Sequence, residues 1–241
     1  MAVFECEYTI GLTDVGESNL LTNKAIIKVL ENAGGMHSEK VGYGLNEIDE
    51  TKLSWILLSW KVKVLNRAKY NSKIKVKTWA RDTNRVFTYR DYEIYDEQEN
   101  LIVLASSKWA LINIDTKSLA RLPEDLIGKY KPENKKVFEE TEIPKLKEAN
   151  SYSSEVNLKV LRNQIDVNDH VHNLFYLDFA YEALPENVYK ENRFNNIDIM
   201  YKKQIKYNDK IKCLYSFENN KHIIAIKSED DSIIHAIVNV Y

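Results

Sequence analysis

Little in this 241-residue chain serves cross-linking, metal binding or membrane insertion. Its two cysteines, Cys6 and Cys213, lie far apart, so neither a disulfide framework nor a zinc spacing is present. Its five histidines stand at 37, 170, 172, 222 and 235, and only His170 and His172 are close. Two residues apart, that pair would not share a helix face, so no metal and no other cofactor is expected. An excess of one charge is missing as well: 34 Lys and Arg against 36 Asp and Glu leave a net −2, which argues against a nucleic-acid partner. No apolar run reaches membrane-spanning length, and the first eight residues carry acids where a signal or transit peptide carries bases. These absences point to a cytoplasmic protein with no membrane insertion.

What is present concentrates between Asp166 and Tyr176. The run Asp166-Val-Asn168-Asp-His170-Val-His172-Asn173-Leu-Phe-Tyr176 gathers a carboxylate, a carboxamide and an imidazole within five residues. A carboxylate orients or activates a reacting group, an imidazole exchanges protons near neutrality, and a carboxamide both donates and accepts. Such residues also crowd into ordinary turns, where their short side chains bond nearby backbone. The following segment, Leu174 to Tyr181, has Asp178 as its one charge and is stopped by Pro185. It reads as a helix apolar nearly all round, hence buried, with the polar loop at its entry opening into a dry interior. The first amides of that helix, near His172 and Asn173, would favour developing negative charge.

The chain also repeats itself. Tyr70-Asn71-Ser-Lys73-Ile74-Lys75 recurs as Tyr207-Asn208-Asp-Lys210-Ile211-Lys212, each time after a helical pattern and before alternating strands. In the first half the helix is carried by Ile26, Val29, Leu30 and Ala33, with Ser18 or Thr22 as N-cap and Gly34-Gly35 at its end. In the second it is the 174–184 run. Strands are expected at 55–65, 73–81, 86–96 and 101–114, then at 197–206, 210–217, 221–227 and 232–241. The stretch 116–150 holds three of the four prolines and reads as the connection. The expected organisation is α+β, with repeats over 1–120 and 151–241 joined by a linker over 121–150.

The ordered set Trp55-Ile-Leu-Leu-Ser-Trp60, Thr78-Trp79, Arg90-Asp-Tyr92, Ala105-Ser-Ser-Lys-Trp109 and Arg121-Leu-Pro123 resembles the acyl-ACP thioesterases of bacteria and plastids. The Asp166–Tyr176 segment resembles their active-site motif. The resemblance implies two tandem hot-dog repeats, each a long central helix wrapped by an antiparallel sheet. It implies hydrolysis of fatty acyl-acyl carrier protein in fatty acid biosynthesis, with Asp166, Asn168 and His170 catalytic. Asn173 closes the motif and stands where it could cap the buried helix. The partner implied is acyl carrier protein with its acylated phosphopantetheine, met by a monomer or homodimer.

One departure stands out. Many relatives carry Glu, in some followed by Cys, on the first strand after the helix. Aligning on Tyr201-Lys202-Lys203 puts Gln204 and Ile205 there, so neither a carboxylate base nor a thiol nucleophile is available. Direct hydrolysis is then favoured, with His170 or Asp166 taking a proton from water and Asn168 fixing the base or the water; an anhydride on Asp166 stays open. His172 stands where relatives often carry Asn, and Tyr176 and Phe179 read as helix packing. The resemblance places the acyl slot in the first repeat, making Ile26, Val29, Leu30, Ala33, Trp55, Leu57 and Trp60 candidates that read equally well as core. An acidic carrier calls for a basic face, either Lys61, Lys63, Arg67 and Lys69 or Lys202, Lys203 and Lys206. The rivals are an acyl-CoA thioesterase of the same fold and a catalytically weakened acyl-ACP-binding protein.

Overall fold

The structure, a computed structural model, describes residues 2–81, 86–191 and 193–241. The chain forms two compact units, Met1–Ile143 and Pro144–Tyr241. The first opens with β1 (Val3–Thr9), a 3-10 turn at Leu12–Asp14 and the long helix α1 (Asn23–Lys40), followed by the one-turn α2 (Ile48–Thr51). Strands β2 (Leu53–Val64), β3 (Lys73–Ala80), β4 (Phe87–Tyr95) and β5 (Leu101–Asn113) come next, then β6 (Ser118–Leu119) and helix α3 (Glu124–Tyr130). Within the unit the strands run antiparallel in the order β1-β3-β4-β5-β2, with β6 on β5. Since β1 and β2 end up at opposite ends of that order, the chain between them must cross the sheet. Helix α1 makes the crossing.

The crossing is held by burial. Thr22 caps α1 by accepting the Ala25 amide at 3.2 Å, and Ala25, Ile26, Ile27, Val29, Leu30 and Ala33 turn inward. Each large aliphatic among them contributes up to about 1.5–3 kcal/mol. The Gly34-Gly35 pair does not end the helix, contrary to the sequence expectation; α1 runs on to Lys40. Gly34 is a packing glycine: a Cβ there would lie 2.9 Å from the Tyr92 hydroxyl and 3.4 Å from Arg90 Cδ. Beyond it the helix meets a polar patch, where Arg90 bonds His37 Nδ1 at 3.0 Å and Thr78 Oγ1 at 3.2 Å. Helix α3 folds back over a second cluster of Ala80, Leu111, Leu122, Leu126 and Tyr130.

The second unit repeats the plan. It contains β7 (Ser154–Lys159), a 3-10 turn at Arg162–Gln164, α4 (Phe175–Glu182), α5 (Glu186–Glu191) and strands β8 (Asn196–Tyr201), β9 (Lys210–Glu218), β10 (Lys221–Ser228) and β11 (Ile234–Val240). Its order, β8-β11-β10-β9-β7, is that of the first unit strand for strand. The repeated hexapeptide marks the same place in both: Asn71 and Asn208 adopt left-handed φ of 65° and 71° at the entry to β3 and β9, a conformation Asn tolerates. Strands β1 and β7 were not anticipated. The strand expected over 197–206 stops at Tyr201 because the chain turns there.

Candidate active site

The Asp166–His170 segment is a tight turn closed at its neck. Leaving β7, the chain is caught where the Leu161 amide bonds Gln164 Oε1 at 2.8 Å, and Ile165 then pairs with Val171. Across the neck the Asp166 amide donates to the His170 carbonyl at 2.8 Å, and the Asp169 amide to the Asp166 carbonyl at 3.1 Å. Asp169 takes a left-handed φ of 61°. Asp166 spends Oδ1 on the turn itself, accepting the Asn168 amide at 2.8 Å and, more weakly, the His170 amide at 3.5 Å. Asp166 Oδ2, the Asn168 carboxamide and the His170 imidazole have no hydrogen-bond partner among the described residues. Three reactive groups therefore share one turn uncommitted.

Two expectations need correction. The turn does not open into a dry interior: Val167 is 75% exposed and Asn168 is exposed, because only Val171 points inward. The helix entry also differs. The His172 amide is already bonded to the Gln164 carbonyl at 2.9 Å and offers nothing to an oxyanion. Helix α4 starts at Phe175 without a side-chain cap, so Asn173 does not cap it. His172 serves the helix start instead, its Nδ1 accepting the Leu174 amide at 3.3 Å. The Asn173 carbonyl receives the Tyr176 amide and the Tyr201 hydroxyl, each at 3.3 Å. The Asn173 amide has no partner among the described residues and is the open donor.

The first unit builds the same turn. Gly16 donates to the Leu20 carbonyl at 3.1 Å, Asn19 to Gly16 at 2.9 Å and Thr22 to Asp14 at 2.9 Å, and Asn19 is left-handed at 58°. The Leu21 amide bonds the Ala68 carbonyl at 2.9 Å, as the Val171 amide bonds Ile205 at 2.8 Å. Asp166, Asn168 and His170 thus stand where the first unit has Gly16, Ser18 and Leu20. The backbone does not require them, which weighs against a purely structural role for three polar side chains. Gln204, exposed at the segment after β8, matches Arg67. That arginine reaches the Leu21 carbonyl at 2.8 Å and Asn23 Oδ1 at 2.7 Å, occupying in the first unit the place where the second leaves its site open.

The remaining candidates sort plainly. Ile26, Val29, Leu30, Ala33, Leu57 and Trp60 are buried core, while Trp55 belongs with the α3 cluster, edge-on to Tyr130. Tyr176 is buried edge-on to Tyr201 at 5.2 Å, and burial pushes its hydroxyl upward, keeping it a neutral phenol. Burial pushes the Cys213 thiol up to about 12, so it is no nucleophile. Of the two basic faces, the first is partly consumed: Lys61 pairs with Glu140 at 2.7 Å, and Arg67 is committed as above. Lys202, Lys203 and Lys206 are exposed and have no carboxylate within 4.0 Å among the described residues.

Comparison with known proteins agrees with this architecture. Residues 1–130 match the family model for the acyl-ACP thioesterase N-terminal domain, and residues 147–239 that for the C-terminal domain. A chloroplastic oleoyl-acyl carrier protein thioesterase of Coriandrum sativum is 24% identical over 231 residues, 88% of this chain. The chain spans 62% of that relative's length. An acyl-ACP thioesterase from Bacteroides thetaiotaomicron VPI-5482 superposes with a TM-score of 0.87 at 22% identity, covering 99% of this chain and 96% of its own. The 12:0-ACP thioesterase from Umbellularia californica gives 0.87 at 19% identity over the same 99% and 96%. These likenesses confirm the α+β fold of tandem hot-dog repeats. With both of its halves matched by the corresponding family models, this chain belongs to the acyl-ACP thioesterase family.

Proposed function

We propose that this chain hydrolyses the thioester of a fatty acyl group carried on acyl carrier protein, releasing the free acid and the holo-carrier. The observation that carries the reading is the Asp166–His170 turn, a backbone the chain builds twice and arms once. A thioester asks less of an enzyme than an amide, because its leaving group derives from a thiol of ordinary pKa about 8.5. His170 takes the proton from an attacking water, imidazole being the side chain suited to that exchange near neutrality. Asp166, steadied through Oδ1, presents Oδ2 to the water, and Asn168 at the tip orients it. The open Asn173 amide receives the oxyanion as water adds to the carbonyl carbon. Collapse then expels the thiolate, which recovers a proton as the holo-carrier thiol.

The acidic carrier is assigned to the Lys202, Lys203 and Lys206 face. These lysines adjoin the segment whose Ile205 carbonyl holds the Val171 amide, and they are uncommitted. Charge complementarity of this kind acts mainly on encounter rate and register.

The test is thiol release from a ladder of acyl-ACPs beside matched acyl-CoAs, with Asp166→Asn and His170→Ala as controls. Faster turnover on the carrier protein is expected, with losses of roughly 10²–10⁴ in each variant. Unchanged rates in both variants would overturn the assignment. Tight acyl-ACP binding without turnover would instead make this a carrier-binding protein, and Gln204→Glu would then be expected to restore hydrolysis.

A further inference from the structure

We infer that His235 is a positioning residue for this site, its imidazole fixing the peptide that carries Gln204 beside the Asp166–His170 turn. The inference rests on the hydrolase reading above. His235 lies on β11 and is 5% exposed. Its carbonyl accepts the amides of Lys202 at 2.8 Å and Lys203 at 3.2 Å, and its ring Nδ1 lies 3.1 Å from the Lys203 carbonyl. A carbonyl only accepts, so Nδ1 carries the proton and donates. Two residues on, the Ile205 carbonyl takes the Val171 amide, the residue that follows His170. The Lys203–Ile205 segment is therefore fastened at one end by His235 and at the other to the armed turn.

The first unit shows which part of this arrangement the fold needs. There the amides of Leu65 at 2.8 Å and Asn66 at 3.1 Å converge on the Ile102 carbonyl, and the Ala68 carbonyl takes the Leu21 amide. Ile102 is 1% exposed and apolar. The backbone clamp thus forms without an imidazole, and burying one in place of isoleucine costs free energy. The polar side chain stands in the unit that also carries Asp166, Asn168 and His170. What it adds is a third restraint, which stops the Lys203–Gln204 peptide from rotating. That holds the Ile205 carbonyl in place for the Val171 amide, and with it the base of the turn that carries Asp166, Asn168 and His170. Misplacement of a reacting group by about 1 Å costs on the order of 10²-fold in rate.

The test uses the full chain with His235→Ile, the residue the first unit has at the matching place, and His235→Asn, whose amide nitrogen substitutes for Nδ1. His235→Leu repeats the apolar change with another shape, and Asp166→Asn is the reference. Expected for His235→Ile is a fall in kcat of roughly 10- to 100-fold, with KM and the melting temperature little moved, and recovery of most of kcat in His235→Asn. Full kcat in both apolar variants while Asp166→Asn is inactive would overturn the inference and leave the hydrolase reading standing. A loss that tracks the melting temperature and is not recovered by asparagine would overturn it too, as a packing effect. Full activity in Asp166→Asn would sink the hydrolase reading instead.

Discussion

The adjacent glycines of α1 should respond to alanine in opposite directions. Both lie inside a helix, where Gly→Ala at a compatible site stabilises by about 0.4–1 kcal/mol through the unfolded chain. At exposed Gly35 a new Cβ meets nothing within 4 Å, so the full gain is expected, raising Tm by about 1–4 °C. At Gly34 the Cβ would stand 2.9 Å from the Tyr92 hydroxyl. Tyr92 is fully buried, lies against Trp60 at 5.2 Å between ring centroids, and holds its hydroxyl 3.4 Å from Ser107 Oγ. It has nowhere to go, and overpacking of this kind costs roughly 1–3 kcal/mol. Gly34→Ala should therefore come out about 0–2.5 kcal/mol less stable, lowering Tm by up to about 10 °C. Thermal unfolding by circular dichroism reads both variants. The culprit atom is testable in turn: in a Tyr92→Phe background Gly34→Ala should lose most of its penalty, a coupling that a double-mutant cycle isolates. Equal stabilisation by both alanines, or an undiminished penalty in the Phe background, would refute the packing argument.

Arg67→Ala removes two charged hydrogen bonds, to the Leu21 carbonyl and to Asn23. Stability in urea should fall by about 1.5–3 kcal/mol; an unchanged midpoint would show that the half-buried arginine is not holding the first turn. Burial raises the Cys213 thiol from 9.0 to about 12. Because the folded value lies above the unfolded one, the associated stability is present below pH 9 and drains as pH climbs from 9 toward 12. At pH 8 a disulfide reagent should react with half-buried Cys6 well before Cys213, which should wait for denaturant. Two thiols titrating together in the native protein would contradict this.

The sheet strands were legible because their β-branched and aromatic residues alternate over 7 to 13 residues. β1 and β7 escaped for a physical reason. They bury little, Phe4 being the one fully turned-in side chain of β1, and Glu5, Glu7, Glu155 and Lys159 make them read as polar tails. The end of α1 was misplaced because a glycine chosen for close approach to Tyr92 looks the same in sequence as one that terminates a helix. At the site, the polar cluster itself was plain, but the commitment of the His172 amide to Gln164 was not, since that bond closes the loop from Gln164 to His172 through backbone groups that residue types do not announce. The twin of the armed turn was hidden more deeply. From Ile10–Asn23 to Val160–Asn173 only the final asparagine is identical, so the equivalence lives in backbone bonds and not in residue types.

The two central helices differ in reach. Helix α1 has 18 residues and α4 has 8, which at 1.5 Å per residue makes rods of about 27 Å and 12 Å. Of the two nearly matching scaffolds, one therefore makes five turns and the other just over two. The extra turns of α1 carry Ser38, whose hydroxyl receives the Tyr130 hydroxyl of α3 at 2.7 Å. Shortening α1 from its C-terminal end would therefore unfasten α3 inside the first unit, while the backbone bonds that close the Asp166 turn, all made within the second, would stay as they are.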